Sequence, residues 1–335
     1  MNKKLKKTLT WIVALALAAL MLVYAFKKVD WKDFGEILKG CNFWLILATI
    51  AIQWLITYLR GNRWRLLMKP LSHEIKRRET YDSYALCYLA NLFFPRSGEV
   101  VRCGLIADTR KASFEGSLGT VVIERTWDIL CVFLACIPLL FFGNFRDFLV
   151  EKIFKPAAGS LNINWLWIVL ICVAVIVAVI VLVRVYREKI KSTKVGAALF
   201  KFCGGLVDGI KAGFRMEDKW AFFAYTLLIW IGYWLCSLWT LHAFPAAASM
   251  TGLDALFLMV VGSLGWMVPV QGGFGAYHII VTMTLIPIYG LSYDTSMAFA
   301  VVSHESQILQ MLVTGLVSLV GWSIYKRRKL NTIKA

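Results

Sequence analysis

The chain has 335 residues, 59% of them hydrophobic and 17% charged, with a formal net charge of +17. A soluble domain carries roughly a quarter charged residues, and no polar stretch here is large enough for a soluble catalytic domain. The basic residues cluster at the ends of apolar runs instead of forming a folded face with base-reading groups, so nucleic-acid binding is excluded.

In chain order, the first apolar run covers residues 8–26, between Lys3, Lys4, Lys6, Lys7 and Lys27, Lys28. It is longer than the core of a secretory signal and lacks a small-residue cleavage site, so it reads as a retained first helix. A second run, 43–67, leads into Arg60, Arg63, Arg65, Lys69, Lys76, Arg77 and Arg78. Tyr81 to Phe94 offers too few residues to cross a hydrocarbon core of about 30 Å, and Pro95 then ends the helix. Further spans are expected at 116–142, 163–183, 220–243 and 297–325. Between the last two, the apolar stretch 254–287 is interrupted at Pro269 and at Gly272, Gly273 and Gly275. Short helices that enter, turn at a Pro/Gly tip and leave on the same side account for both broken regions, because backbone inside the bilayer must be satisfied by protein.

The fold expected is therefore an all-α polytopic membrane protein, with six spanning helices and two re-entrant helical hairpins in one transmembrane domain, 1–335. With the N-terminus in the cytoplasm and only the six long runs crossing, most of the Lys and Arg fall inside, as the positive-inside rule requires. Both termini are then cytoplasmic. Residues 1–142 and 163–325 each read span, span, hairpin, span, in opposite orientation, which is an inverted repeat of the kind found in secondary transporters. Residues 184–219 form a basic cytoplasmic connector between them.

Ionisable groups at bilayer depth mark function. Glu124, Arg125 and Asp128 lie within about one helical turn and cannot all face lipid. Arg96, Glu99 and Arg102 flank the first tip, and guanidinium groups hold phosphate while staying charged when buried. Around the second tip, Gln271, Gly272, Gly273 and Gly275 leave backbone open to close approach by an anion. Each set also has a structural reading: an interhelical ion pair for the first, headgroup snorkelling for the arginines, and small-residue packing for the glycines. Glu124, Asp128, His278, His304 and Glu305 are the candidates for proton coupling.

His304-Glu305-Ser306-Gln307 lacks the second histidine of a zinc-protease helix, so no metal site is expected from it. No phosphate-binding Gly-Lys-Ser/Thr loop appears, and no Ser/His/Asp set sits in a plausible soluble pocket. No Cys-x-x-Cys pair occurs among the eight cysteines, which read as small packing residues. The Trp residues near segment ends, Trp31, Trp44, Trp165, Trp167 and Trp220, fit interface anchors.

Three motifs, Asn91-Leu-Phe-Phe-Pro-Arg-Ser-Gly-Glu-Val-Val-Arg102, Glu124-Arg-Thr-Trp-Asp128 and Pro269-Val-Gln-Gly-Gly-Phe-Gly275, give the chain a resemblance over most of its length. It is similar to the transmembrane region of lysylphosphatidylglycerol synthases, the flippase-like integral membrane family. The resemblance implies movement between leaflets of a lipid with a charged or sugar-bearing headgroup, with Arg96, Glu99, Arg102, Glu124, Arg125, Asp128, Gly272, Gly273 and Gly275 at the family's characteristic positions. Two features depart from that pattern. The chain ends soon after its last span, without the aminoacyl-transferase domain of the full-length synthases, so lysyl-lipid synthesis is not expected of it. His278 also stands where many relatives carry a Glu.

The function expected is a flippase-like transporter of an anionic, aminoacylated or glycosylated lipid in a bacterial cytoplasmic membrane. The alternatives are an integral membrane transferase acting on a polyprenyl-phosphate or phospholipid, and a non-transporting scaffold. The expected partners are a phospholipid or glycolipid, a separate lipid-modifying enzyme and further copies in a homo-oligomer, with no cofactor.

Overall fold

The computed structural model describes residues 18–148, 214–268 and 270–334, together with residues 16, 204, 205, 207, 208 and 211. The expected span 163–183, most of the connector 184–219, Trp165, Trp167 and Pro269 lie outside the described residues. Every regular element within them is helical.

Helix α1 covers 18–26. α2 (Trp31–Lys39) begins where the Asp30 carboxylate accepts from the Lys32 and Asp33 amides, a conventional N-cap. α3 (Phe43–Met68) follows an Asn42 cap. α4 (Arg77–Phe93) and α5 (Gly98–Asp108) pack on each other across the break at Pro95. α6 (Phe114–Leu139) carries the charged motif, and a short α7 (Gly143–Phe148) ends the first described stretch. α8 (Lys219–Ala243) lies along α3; α9 (Gly252–Met267) and α10 (Ala276–Tyr289) pack together, and the long α11 (Tyr293–Lys334) packs against both α4 and α10.

Among the described residues, four segments are long and apolar enough to cross a membrane: Phe43–Met68, Lys219–Ala243, Gln271–Tyr289 and Tyr293–Arg327. Three match expected spans. α6 has the length, at 26 residues, but Glu115, Glu124, Arg125 and Asp128 keep it out of this set. The third segment differs from the expectation of two short helices only through residues 271–275. Gly272, Gly273 and Gly275 have φ of 53°, 74° and 78°, a region that L side chains rarely occupy, so the chain kinks there. Regular helix resumes at Ala276 and runs 14 residues, about 21 Å at 1.5 Å per residue, which is short of a hydrocarbon core.

Large apolar side chains point outward along α6 (Ile129, Phe133, Ile137) and α11 (Leu309, Val313, Leu316, Val317, Val320). Trp31, Trp44 and Trp220 stand exposed at helix starts, where indoles suit the lipid–water interface. The described cysteines are free thiols.

The α4–α5 pair closes on backbone contact. The Gly98 amide donates to Asn91 Oδ1 at 2.7 Å, and a Cβ on Gly98 would overlap the Cys87 carbonyl oxygen. Gly98→Ala is therefore expected to destabilise the protein by about 1–3 kcal/mol, the usual range for forced overpacking. Thermal unfolding in detergent micelles measures this, and an unchanged midpoint would show that the two helices can part freely.

The end of α4 opposite the break is held by ions. Glu79 accepts from the Lys76 amide at 2.9 Å, from Lys111 Nζ at 2.8 Å and from the Tyr325 hydroxyl at 2.8 Å. Burial pushes this carboxyl up, but the Lys111 hydrogen bond and the other donors outweigh it and leave Glu79 below its ordinary value of 4.5. A carboxyl with a depressed folded pKa contributes stability that is present above the unfolded pKa and lost as pH falls through the folded one. Acidification from pH 6 to below 4.5 should thus lower the unfolding midpoint of the wild type more than that of Glu79→Gln; parallel curves for the two would remove this contribution.

Candidate functional site

α3 and α6 each carry charge toward a common centre, and α4, α5 and α8 close around it. Glu124, with no exposed surface, receives Arg63 Nη2 at 3.0 Å on one oxygen and Arg102 Nη1 at 2.8 Å on the other. The Tyr84 hydroxyl donates to the first of these oxygens. One turn along α6, Asp128 takes Arg60 Nη2 and Arg63 Nη2, each at 2.7 Å. Arg60 Nη1 also donates to the Tyr233 hydroxyl at 2.7 Å. Arg125 leaves the same turn toward α5, with Nη2 3.1 Å from Glu99 and Nη1 3.6 Å from Asp128.

The buried guanidiniums lie over aromatic faces. Arg102 is 4.5 Å from the Tyr84 ring centroid and 4.7 Å from that of Trp64, and Arg63 is 5.6 Å from that of Phe222. Stacking of this kind suits the planar, weakly hydrated guanidinium better than an ammonium.

Charge does not balance in this network. Arg60, Arg63, Arg102 and Arg125 face Glu99, Glu124 and Asp128, a surplus of one positive charge. Several guanidinium nitrogens have no hydrogen-bond partner although they are buried: Nε of Arg60, Arg63, Arg102 and Arg125, and Nη2 of Arg102. Unpaired donors in a low-dielectric site favour an anion. Arg125 and Glu99 form the open edge, with side chains 38% and 22% exposed.

Arg60 and Arg63 escaped the sequence reading, which assigned them to the basic cytoplasmic end of a span. The structure corrects this: both lie inside α3, and their spacing of three residues turns them to one helix face. Arg102, expected at a headgroup or snorkelling outward, is fully buried against Glu124.

Arg96 takes a different part. Exposed and with φ of 59°, it sends Nη2 to the Met267 carbonyl at 2.5 Å. Gly272 lies against Leu92 of α4, so the two broken segments touch each other. Gln271 is buried, with its Nε2 unpartnered.

The remaining candidates form a second cluster. His304 Nε2 is 2.8 Å from the Gly272 carbonyl and Nδ1 2.9 Å from Glu305 Oε1. His278 Nε2 lies 3.6 Å from that same oxygen. The ligand atoms of these three residues fall within 4.8 Å of one another, a grouping that spacing along a single helix could not reveal. No ion pair joins this cluster to the arginine network among the described residues. A buried polar seam runs between them: Gln53 meets Ser306 at 3.4 Å and Thr57 meets Gln310 at 3.2 Å, both between α3 and α11.

Outward apolar faces, four candidate spans among the described residues and a buried arginine–carboxylate network define a helical multi-pass membrane protein. The chain belongs to the lysylphosphatidylglycerol synthase TM region family, which it matches over residues 11–325. It is similar to glycosyltransferase AglD of Haloferax volcanii, 20% identical over 361 aligned positions that cover 96% of this chain and 56% of that protein. It is also similar to inner membrane protein YbhN of Escherichia coli, 31% identical over 88 positions, or 26% of this chain and 27% of that one. The chain thus aligns with little more than half the length of the first relative and about a quarter of the second. No solved structure matches.

Proposed function

We propose that the protein moves an anionic, aminoacylated or glycosylated lipid between leaflets of a bacterial cytoplasmic membrane. The observation that carries this reading is the surplus guanidinium charge with unpartnered N–H groups, reached past the Arg125–Glu99 edge. A headgroup phosphate would take up the free donors beside Arg125, and Glu99 would face an ammonium or sugar hydroxyl on the same headgroup. The hydrocarbon chains would stay in the bilayer against the apolar outer faces of α6 and α11.

The two broken segments are read as re-entrant hairpins of an inverted repeat, 1–142 and 163–325, with six spans and both termini in the cytoplasm. Their contact through Arg96–Met267 and Leu92–Gly272 supports this reading. Rocking of one half against the other would expose the site alternately. Membership of a family described by a lipid-modifying synthase fits a headgroup cargo; a separate lipid-modifying enzyme and a homo-oligomer are the expected partners.

A second reading is favoured by the name of one relative, a glycosyltransferase: a membrane transferase in which Glu124, Asp128 or Glu305 acts as general base on a lipid-linked acceptor. Glu124 is committed to two arginines and a tyrosine and Asp128 to Arg60 and Arg63, which leaves both poor bases, and transport is the reading we prefer. Reconstitution separates the two. Proteoliposomes with headgroup-labelled anionic phospholipid should show faster leaflet exchange than protein-free vesicles, with no new lipid by mass spectrometry. A new lipid formed from an added sugar or aminoacyl donor would favour the transferase, and neither activity would leave the scaffold.

A further inference from the structure

The second cluster has a chemistry of its own. His304 Nε2 faces a backbone carbonyl, which can only accept, so that nitrogen carries the hydrogen. A neutral His304 ring then turns its Nδ1 lone pair toward Glu305 Oε1 at 2.9 Å. A lone pair and a carboxylate oxygen repel each other unless a positive centre lies between them. His278, 1% exposed, adds Nε2 at 3.6 Å from the same oxygen, and its Nδ1 has no partner. A proton could bridge His304 and Glu305 alone; it would leave His278 unengaged.

We infer that His278, His304 and Glu305 bind a divalent cation of the zinc class, through His278 Nε2, His304 Nδ1 and the Glu305 carboxylate. Two imidazoles and a carboxylate are a zinc donor set that leaves a fourth position open. Zinc with bonds of about 2.0–2.1 Å holds tetrahedral donors roughly 3.3 Å apart. The separations of 2.9 and 3.6 Å straddle that spacing; the three donors lie within 4.8 Å of one another, wider than a single zinc spans, so the two imidazoles would draw together on binding. The Gly272 carbonyl supplies the outer hydrogen bond that fixes the tautomer of a metal-bound histidine. Trp266 stacks on His304 at 5.2 Å and Phe274 meets it edge-on at 5.1 Å, which keeps water from the imidazole side. The Glu305 side chain, 43% exposed, leaves a way in. Bound metal would fasten the glycine break to α11 through His304 and present its open position to an anionic oxygen.

The test uses the full chain in detergent, stripped with chelator and titrated with Co2+ as a spectroscopic substitute for zinc. One equivalent should bind with the visible bands of a tetrahedral ion, Zn2+ should displace it, and Zn2+ should raise the wild-type unfolding midpoint. Glu305→Gln and His278→Gln should lose both the bands and the Zn2+-dependent shift. Their metal-free midpoints check folding, and Glu305→Gln leaves the His304–Gly272 contact in place. Co2+ bound equally by the wild type and both variants overturns the site. So does an absence of binding in folded wild type, in which case the His304–Glu305 pair holds a proton. The readout is binding alone and does not depend on whether lipid is moved.

Discussion

Glu124→Ala is expected to lower the stability of the folded protein by about 3–5 kcal/mol, the cost of removing one partner from a buried ion network. Glu124 neutralises Arg63 and Arg102, both without exposed side-chain surface, and accepts from the Tyr84 hydroxyl. Taking the carboxylate away leaves two guanidiniums in a low-dielectric site, with only Asp128 nearby to share. Glu124→Gln keeps the volume and one acceptor oxygen, so its loss should be smaller. Thermal unfolding in micelles would order the three proteins wild type, Gln, Ala. An Ala variant as stable as wild type would mean that water already reaches these arginines.

Arg125→Ala should behave in the opposite way, with little effect on folding and a large effect on transport. Its side chain is 38% exposed and its contacts to Glu99 and Asp128 lie at the edge of the network; such exposed pairs are worth about 0–1 kcal/mol. A hydrogen bond to a charged group contributes about 1.5–3 kcal/mol. Losing it where the headgroup passes would slow leaflet exchange roughly 10–100-fold. Arg125→Lys should restore only part of the rate, since an ammonium keeps the charge but not the bidentate fork. Equal exchange by wild type and Arg125→Ala in the same vesicles would remove Arg125 from the path and move attention to the unpaired donors of Arg102.

Taken together, the two substitutions divide one charged motif by depth. Glu124 and Arg125 are neighbours in sequence, yet α6 turns one inward to tie it to α3, α4 and α5 and the other toward the open edge.

The sequence by itself determined the membrane class, the spans at α3, α8 and α11, and the break after Phe94, because hydrophobic run length and proline act locally. It also placed the charges of α6, since carboxylates and guanidinium in an apolar run stand out wherever the helix lies. Only the tertiary structure decided that Arg60 and Arg63 join Glu124 and Asp128 instead of facing headgroups. Near the polar end of a span, packing against α6 and α8 fixes which side is buried, and run length carries no record of that. The same holds for His278. It came within reach of His304 and Glu305 because the chain turns at the left-handed Gly290 and lays α10 against α11, and a contact made by folding two helices together has no period along one chain.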